Sequence, residues 1–401
     1  MIKIMIRILT LAFTLLSFSS VHANWLNFRG NQSNGFSPTK SVIDLSAKGK
    51  GSWKSKIPGR GLSSPIVVGN KVFLSASSGA KQEILHVFCF SGQTGQTLWE
   101  RKFLATGRTI CHEKTCVAAS TMTSDGSRVV AQFSSNDIFC LNLSGDLIWL
   151  RGLTYDFPNA ANGLGMSSSP LIANGILLAQ VENDAYSFSM GMNVSNGETL
   201  WKKDRPRAAN WSSPTLFGNG DNKTITLQSK EGVTVIDPKN GQELYTFSEG
   251  ASTIPSTTPA GNILLVPSNG MTALKIHTDQ EKIEKLWNDN KLGPGTGSPA
   301  ISKDRFLVIN KANVLTCARI ETGEILWRMR IKGPSSGSPI ATDSHLYFFN
   351  EEGLGQVIKI SDNEGKVETS ISLGETILCT PAISGNTLYV RSDNYLWKFT
   401  D

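Results

Sequence analysis

The chain has 401 residues, a formal charge of +6, 18% charged and 39% hydrophobic residues, and 37 glycines. So mild a charge with no clustered Lys/Arg stripe excludes a phosphate-tracking surface, so no nucleic-acid partner is expected, and the apolar content excludes a disordered chain. Low charge with many glycines points to short turns rather than long helices.

Lys3 and Arg7 form a positive n-region, Ile8 to Phe18 an apolar run and Val21-His22-Ala23 a small-residue cleavage pattern. Residues 1–23 therefore read as a signal peptide cut near Ala23. The apolar run is shorter than the roughly 20 residues needed to cross a bilayer, so a membrane anchor is the weaker reading. No cysteine follows the cut and no later stretch is long and apolar enough for a span, so the mature protein is expected to be soluble, in the periplasm or secreted. Without the leader the charge falls to +4, with 37 basic residues against 33 acidic.

From residue 52 onward two signatures recur. A Ser/Thr-Pro step opens an apolar strand at Ser64-Pro65, Ser169-Pro170, Ser213-Pro214, Thr258-Pro259, Ser298-Pro299, Ser338-Pro339 and Thr380-Pro381, and Thr121-Met122 keeps the frame without proline. The spacings from Pro65 are 57, 48, 44, 45, 40, 40 and 42 residues, the period of a four-stranded propeller blade. Later in each unit a turn glycine precedes an aromatic residue by four positions: Gly95 and Trp99, Gly145 and Trp149, Gly197 and Trp201, Gly241 and Tyr245, Gly323 and Trp327. Unit seven has Gly365 but Thr369, and unit five lacks the glycine turn and reaches Trp287 through a charged hairpin at Thr278 to Lys285. Between the signatures lie short apolar strands split by pairs such as Gly69-Asn70. No window keeps a helical spacing without interruption.

Unit eight ends one strand short. Trp53 to Pro58 reads like the end of another unit, such as Trp201 to Pro206. The expected fold is therefore an all-β, eight-bladed propeller over residues 52–401, its last blade completed by an N-terminal strand so that no sheet edge stays open. Residues 24–51 form a leader segment.

Both signatures resemble the quinoprotein-type (PQQ-like) β-propeller repeats, whose docking motif has the form Ala-x-Asp-x-x-Thr-Gly-x-x-x-Trp. Asp237 to Tyr245 and Glu321-Thr322-Gly323-Glu324-Ile325-Leu326-Trp327 fit it well. Asn24-Trp25-Leu26-Asn27-Phe28-Arg29-Gly30 is similar to the leader of exported bacterial members. The resemblance implies that Trp53, Trp99, Trp149, Trp201, Tyr245, Trp287 and Trp327 dock each blade on its neighbour. Exported relatives include the propeller lipoprotein of the outer-membrane barrel-assembly machine, but its lipid-anchoring cysteine is missing here. Enzymes of the family carry adjacent cysteines beneath the quinone, and this chain has no Cys-Cys pair.

The cysteines divide into two groups. Cys89, Cys140 and Cys317 occupy the same third-strand position in their units, and packing is the expected role. Cys111 and Cys116 flank a loop between units one and two, where an oxidising compartment favours a disulfide. A metal site with His112 and a pair of free thiols are the alternatives.

Loops before the first strand of each blade should converge on the central channel. They carry Arg60, Arg108, Arg205, Arg207, Asn210 and Trp211, read either as a mildly basic, aromatic-tipped funnel for a ligand or as ordinary exposed loop residues. Glu182, Asp184, Glu351 and Glu352 fall in other hairpins, and no nucleophilic triad, zinc or phosphate-loop pattern is readable. The leading expectation is a monomeric, non-enzymatic scaffold for a protein or peptide, without a cofactor. A PQQ-dependent oxidoreductase or quinone-binding protein, with calcium and with Trp211 as the stacking residue, is the alternative.

Overall fold

A computed structural model of the protein describes residues 24–46, 49, 51–160, 163–218, 223–277 and 282–400. The signal peptide with its cleavage site, and residues 278–281 of the hairpin in unit five, lie outside the described residues.

Eight four-stranded antiparallel sheets form a ring, each running from an inner first strand to an outer fourth. The only helical pieces among the described residues are Leu153–Asp156 and the single 3₁₀ turn Asn290–Leu292. Blade eight is completed as the sequence implies. Strand Trp53–Lys56 pairs antiparallel with Tyr395–Thr400, Trp53 opposite Lys398 and Lys56 opposite Tyr395. The first and last parts of the propeller are thereby stitched together by backbone hydrogen bonds.

The core is not one mass but a series of apolar wedges between neighbouring blades. One wedge joins Phe73 and Val87 of blade one to Val129 and Phe139 of blade two. Another joins Tyr347 of blade seven, Leu388 of blade eight and Phe90 of blade one. Alternate residues of each strand face one neighbour or the other, so nearly continuous apolar strands suit a sheet buried on both faces.

The turn glycines serve the preceding blade. A Cβ on Gly95, Gly145, Gly197, Gly241, Gly323 or Gly365 would come within 2.5 to 2.8 Å of Trp53, Trp99, Trp149, Trp201, Trp287 or Trp327 respectively. Five of these glycines also sit at positive φ, 70° to 89°, which an L side chain resists. The six indole N–H groups donate to carbonyls of the blade they dock on, at 2.8 to 3.3 Å. Burying each indole face contributes about 2 to 3 kcal/mol.

This geometry explains the two irregular units. Unit five has no glycine because blade four presents Tyr245, which packs against an apolar cluster joining Val235 to Leu264 and Leu274. Unit seven keeps Gly365 because blade six presents Trp327, although its own docking position holds Thr369. Within each of blades one to seven the fourth strand bulges by one residue just before the docking position, with Cys89 opposite Trp99, Cys140 opposite Trp149 and Cys317 opposite Trp327. These three cysteines are fully buried, and burial pushes their thiols up to about 12. They are small packing residues under an indole.

The leader does more than precede the ring. It crosses one end of the central channel and bonds to inner strands around it. Trp25 exchanges backbone hydrogen bonds with Val67 of blade one, Leu26 accepts from Ser124 of blade two, Asn34 accepts from Ile301 of blade six, and Gly35 and Ser37 pair with Ala341 of blade seven. Ile43 and Leu45 are wholly buried in the wedge beside blades seven and eight. Arg29, fully buried, donates to Thr257 O at 3.0 Å, to Thr258 Oγ1 at 2.8 Å and to Pro299 O. Its acceptors are neutral dipoles, and burial lowers its pKa to about 9.

Candidate functional site

The opposite end of the channel is open, and the Ser/Thr signature builds its neck. Each signature residue donates its backbone N–H to the hydroxyl of the next blade's. Ser64 donates to Thr121, Thr121 to Ser169, Ser169 to Ser213, Ser213 to Ser256, Ser256 to Ser298, Ser298 to Ser338, Ser338 to Thr380, and Thr380 back to Ser64, at 2.9 to 3.2 Å. The ring is closed. A loop N–H just ahead of each inner strand has no ladder partner and would otherwise be orphaned in a buried place, which explains a hydroxyl at this position in all eight units. In blade five the member is Ser256, two residues before the Thr258-Pro259 step read from sequence. Spacings of 43 and 42 therefore replace 45 and 40.

Above the ring lies a cavity of about 400 Å³. Its floor is Phe28 of the leader, its neck the eight hydroxyls, and its apolar walls include Leu62, Leu164, Trp211, Ile254 and Leu378. His112, Lys114 and Thr115 complete one side, and among the described residues no Asp or Glu is part of the lining.

Of the funnel residues expected from sequence, only Trp211 lines this cavity. Its indole N–H donates to Gly165 O at 2.8 Å and its backbone N–H to Thr253 O at 2.8 Å, so it is fixed between the loops of blades three and five. Arg205 and Asn210 are not exposed funnel groups. Glu182, placed in another hairpin by the sequence reading, meets both: Arg205 Nε at 2.8 Å and Asn210 Nδ2 at 2.8 Å, with Glu182 1% exposed. Burial raises the Glu182 pKa, against the pull of Arg205 and Asn210. This buried ion pair pins the end of blade three to the loop that opens blade four, and none of the three side chains lines the cavity. Arg60 donates to Glu113 O. Arg108 and Arg207 are exposed, outside the lining.

The cysteine loop also differs from expectation. Among the described residues all six cysteines are free. Cys116 points into the apolar wedge between blades one and two, where burial pushes its thiol up to about 11. Cys111 is half-buried, its Sγ accepting from Gln82 Nε2 at 3.5 Å. The loop is held from its other side, His112 N donating to Leu164 O at 2.9 Å. Its role is to fold His112 and Lys114 over the cavity. The sequence signal for this was the 57-residue spacing between units one and two, the longest of the series, which marks an insertion on this face.

Two further arrangements were not legible. Arg391 of blade eight, fully buried, donates to Ser63 Oγ at 2.8 Å and to Ser75 O beside the ring. Gly61 makes room for it, since a Cβ there would lie 2.1 Å from the guanidinium. Three His–Glu pairs also form across strands: His86 with Glu100 at 2.7 Å, His277 with Glu284 at 2.8 Å and His345 with Glu368 at 2.9 Å. Ser78 Oγ adds to the first at 2.6 Å from His86 Nε2. The first two pairs join the adjacent third and fourth strands of blades one and five, while His345 on the second strand of blade seven reaches Glu368 on the fourth, and no member lines the central cavity.

A quinone held with calcium requires carboxylate ligands and an acidic base, and the cavity provides neither. Among the described residues no group of three or more His, Cys, Asp or Glu is placed to hold a metal ion.

Eight four-stranded blades, tryptophan docking and an N-terminal closing strand define a PQQ-like repeat β-propeller. The chain belongs to the family described as outer membrane protein assembly factor BamB, which it matches over residues 36–164, 86–253 and 276–368. It is 19% identical over 354 residues to the BamB of Burkholderia pseudomallei (strain K96243), covering 84% of this chain and 83% of that protein. Among solved structures, BamB from Moraxella catarrhalis superposes with a TM-score of 0.64 at 13% identity, over 87% of this chain and 98% of that one. A europium-containing methanol dehydrogenase superposes with a TM-score of 0.73 at 10% identity, over 94% and 98%. At such identities the likeness concerns the fold, which carries both scaffolds and enzymes. No helix among the described residues is long and apolar enough to cross a membrane.

Proposed function

We propose that the protein is an exported, non-enzymatic propeller scaffold, a monomer working in the periplasm or outside the cell after cleavage near Ala23, that holds a protein or peptide partner at the open funnel. The observation that carries this reading is the lining of the central cavity: hydroxyls and apolar side chains, with His112 and Lys114 on one side and no carboxylate among the described lining residues. Such a surface binds and orients, and its one imidazole, His112, has no carboxylate in the described lining to work with as an acid–base pair. Membership of a family described as an assembly factor supports a role in handling other proteins. No cofactor enters this reading.

The test places a photo-reactive residue at Ile254 on the funnel wall or at Lys366 on the outer strand of blade seven, in the native host. Covalent capture of a discrete protein from Ile254 and not from Lys366 is expected. Dye reduction with alcohols or sugars by the purified protein supplied with PQQ and calcium would overturn the reading.

A further inference from the structure

Each ring hydroxyl accepts one backbone N–H, and among the described residues none donates its own proton to a protein acceptor. All eight are at most 5% exposed, and all line the cavity. A hydroxyl has one donor and two acceptor sites. With an acceptor site already used in every case, the ring turns eight O–H donors toward one axis. In the open cavity water accepts from these donors, and a ligand rich in acceptor oxygens takes the place of that water.

Charge and shape narrow the choice of ligand. The lining has no carboxylate to repel an anion, and it includes His112 and Lys114. The Lys114 ammonium is 70% exposed and lies 3.8 Å from Glu351, which offsets part of its charge, so the hydroxyls form the main recognition element. Around and below them the walls are apolar, from Trp211 and Ile254 down to Phe28. About 400 Å³ is the scale of a small-ligand cleft, too little for a folded domain.

We infer that the cavity captures the terminal carboxylate of a polypeptide whose last residues are apolar, the carboxylate on the hydroxyl ring and the side chains against the walls. Capture of a chain end by converging donors is a recognised mode of peptide binding. The inference rests on the scaffold reading and names the partner's contacting group.

The experiment titrates a fluorescein-labelled heptapeptide ending in Leu-Phe, as free acid and as C-terminal amide, by fluorescence anisotropy. It uses the full mature chain and two variants at one rim position, Ile254→Asp and Ile254→Asn, with octanoate as a competing small acid. The free acid is expected to bind at least tenfold more tightly than the amide. Ile254→Asp should weaken the free acid several-fold more than Ile254→Asn does, while the amide separates the two variants by less than twofold. Ile254 is 47% exposed, so both variants keep the fold. Equal affinity of acid and amide overturns the carboxylate inference and leaves peptide binding at the funnel standing. Binding of octanoate without binding of the peptide overturns it as well. Failure of both peptides overturns the inference alone if Ile254 still crosslinks a protein, and takes the scaffold reading with it if no crosslink forms.

Discussion

The two ends of the central channel are walled by the same eight inner strands, yet one is closed and the other open. At the closed end the leader spends its polar groups on the strand ends, and Arg29 reaches three acceptors from blades five and six. At the open end the repeats bond to one another, each N–H to the next hydroxyl, and leave the hydroxyl protons facing the cavity. The closed end is made by a segment that occurs once, the open end by a residue that occurs in all eight units. Repetition produces a symmetric ring with a hole, and only a non-repeating segment can stop it. Phe28 belongs to both ends, as part of the stopper and as the floor of the cavity.

The largest effect should come from removing the stopper and the closing strand together. Deleting residues 24–58 takes away Trp53–Lys56 and exposes the edge of blade eight. Aggregation or loss of the cooperative unfolding transition is expected. A deletion variant that melts like the intact protein would sink the account of ring closure.

Single substitutions compare the two ends more finely. Arg29→Ala strands two buried carbonyls and a hydroxyl and should cost about 3 kcal/mol, and Arg29→Lys should rescue little because one ammonium cannot replace a guanidinium fork. Ser213→Ala removes one link of the ring, leaving the N–H of Ser169 unpaired, and should cost about 1 to 2 kcal/mol. Urea denaturation of the three variants would rank them, and an Arg29→Ala protein as stable as wild type would show that the closed end is held by the leader backbone alone.

The smallest effect concerns the loop over the open end. Thiol titration without reductant should find six thiols after unfolding. Before unfolding only Cys111 should react, because the other five are buried and burial holds their pKa values at about 11 to 12. A count of four in the unfolded protein would mean that Cys111 and Cys116 are bridged.

Much of the fold was readable because a propeller repeats its local chemistry. Hydroxyl, apolar run, turn glycine and tryptophan recur at a near-constant period, and the blade count and the closing strand follow from that period. The glycine was legible as a position but not as a partner. Gly241 lies four residues before Tyr245, but what requires it is Trp201 in the preceding blade, a contact between units that spacing along one unit cannot express. The same limit explains the funnel residues. Arg205 and Asn210 looked like exposed loop groups, and the structure spends them on Glu182, some two dozen residues earlier in the chain. Arg29, Arg391, His112 and Lys114 carried no periodic signal, since each acts once.

The sequence by itself determined an eight-bladed ring, its closure by Trp53–Lys56 and the docking aromatics, because strand period, turn chemistry and buried indoles are local properties repeated along the chain. Only the tertiary structure decided that the leader stops one end, that the signature hydroxyls link into a closed belt, and that the cavity above them has no carboxylate. Those features arise from residues tens to hundreds of positions apart meeting on one axis, where burial and unpaired donors, rather than any local pattern, set the chemistry.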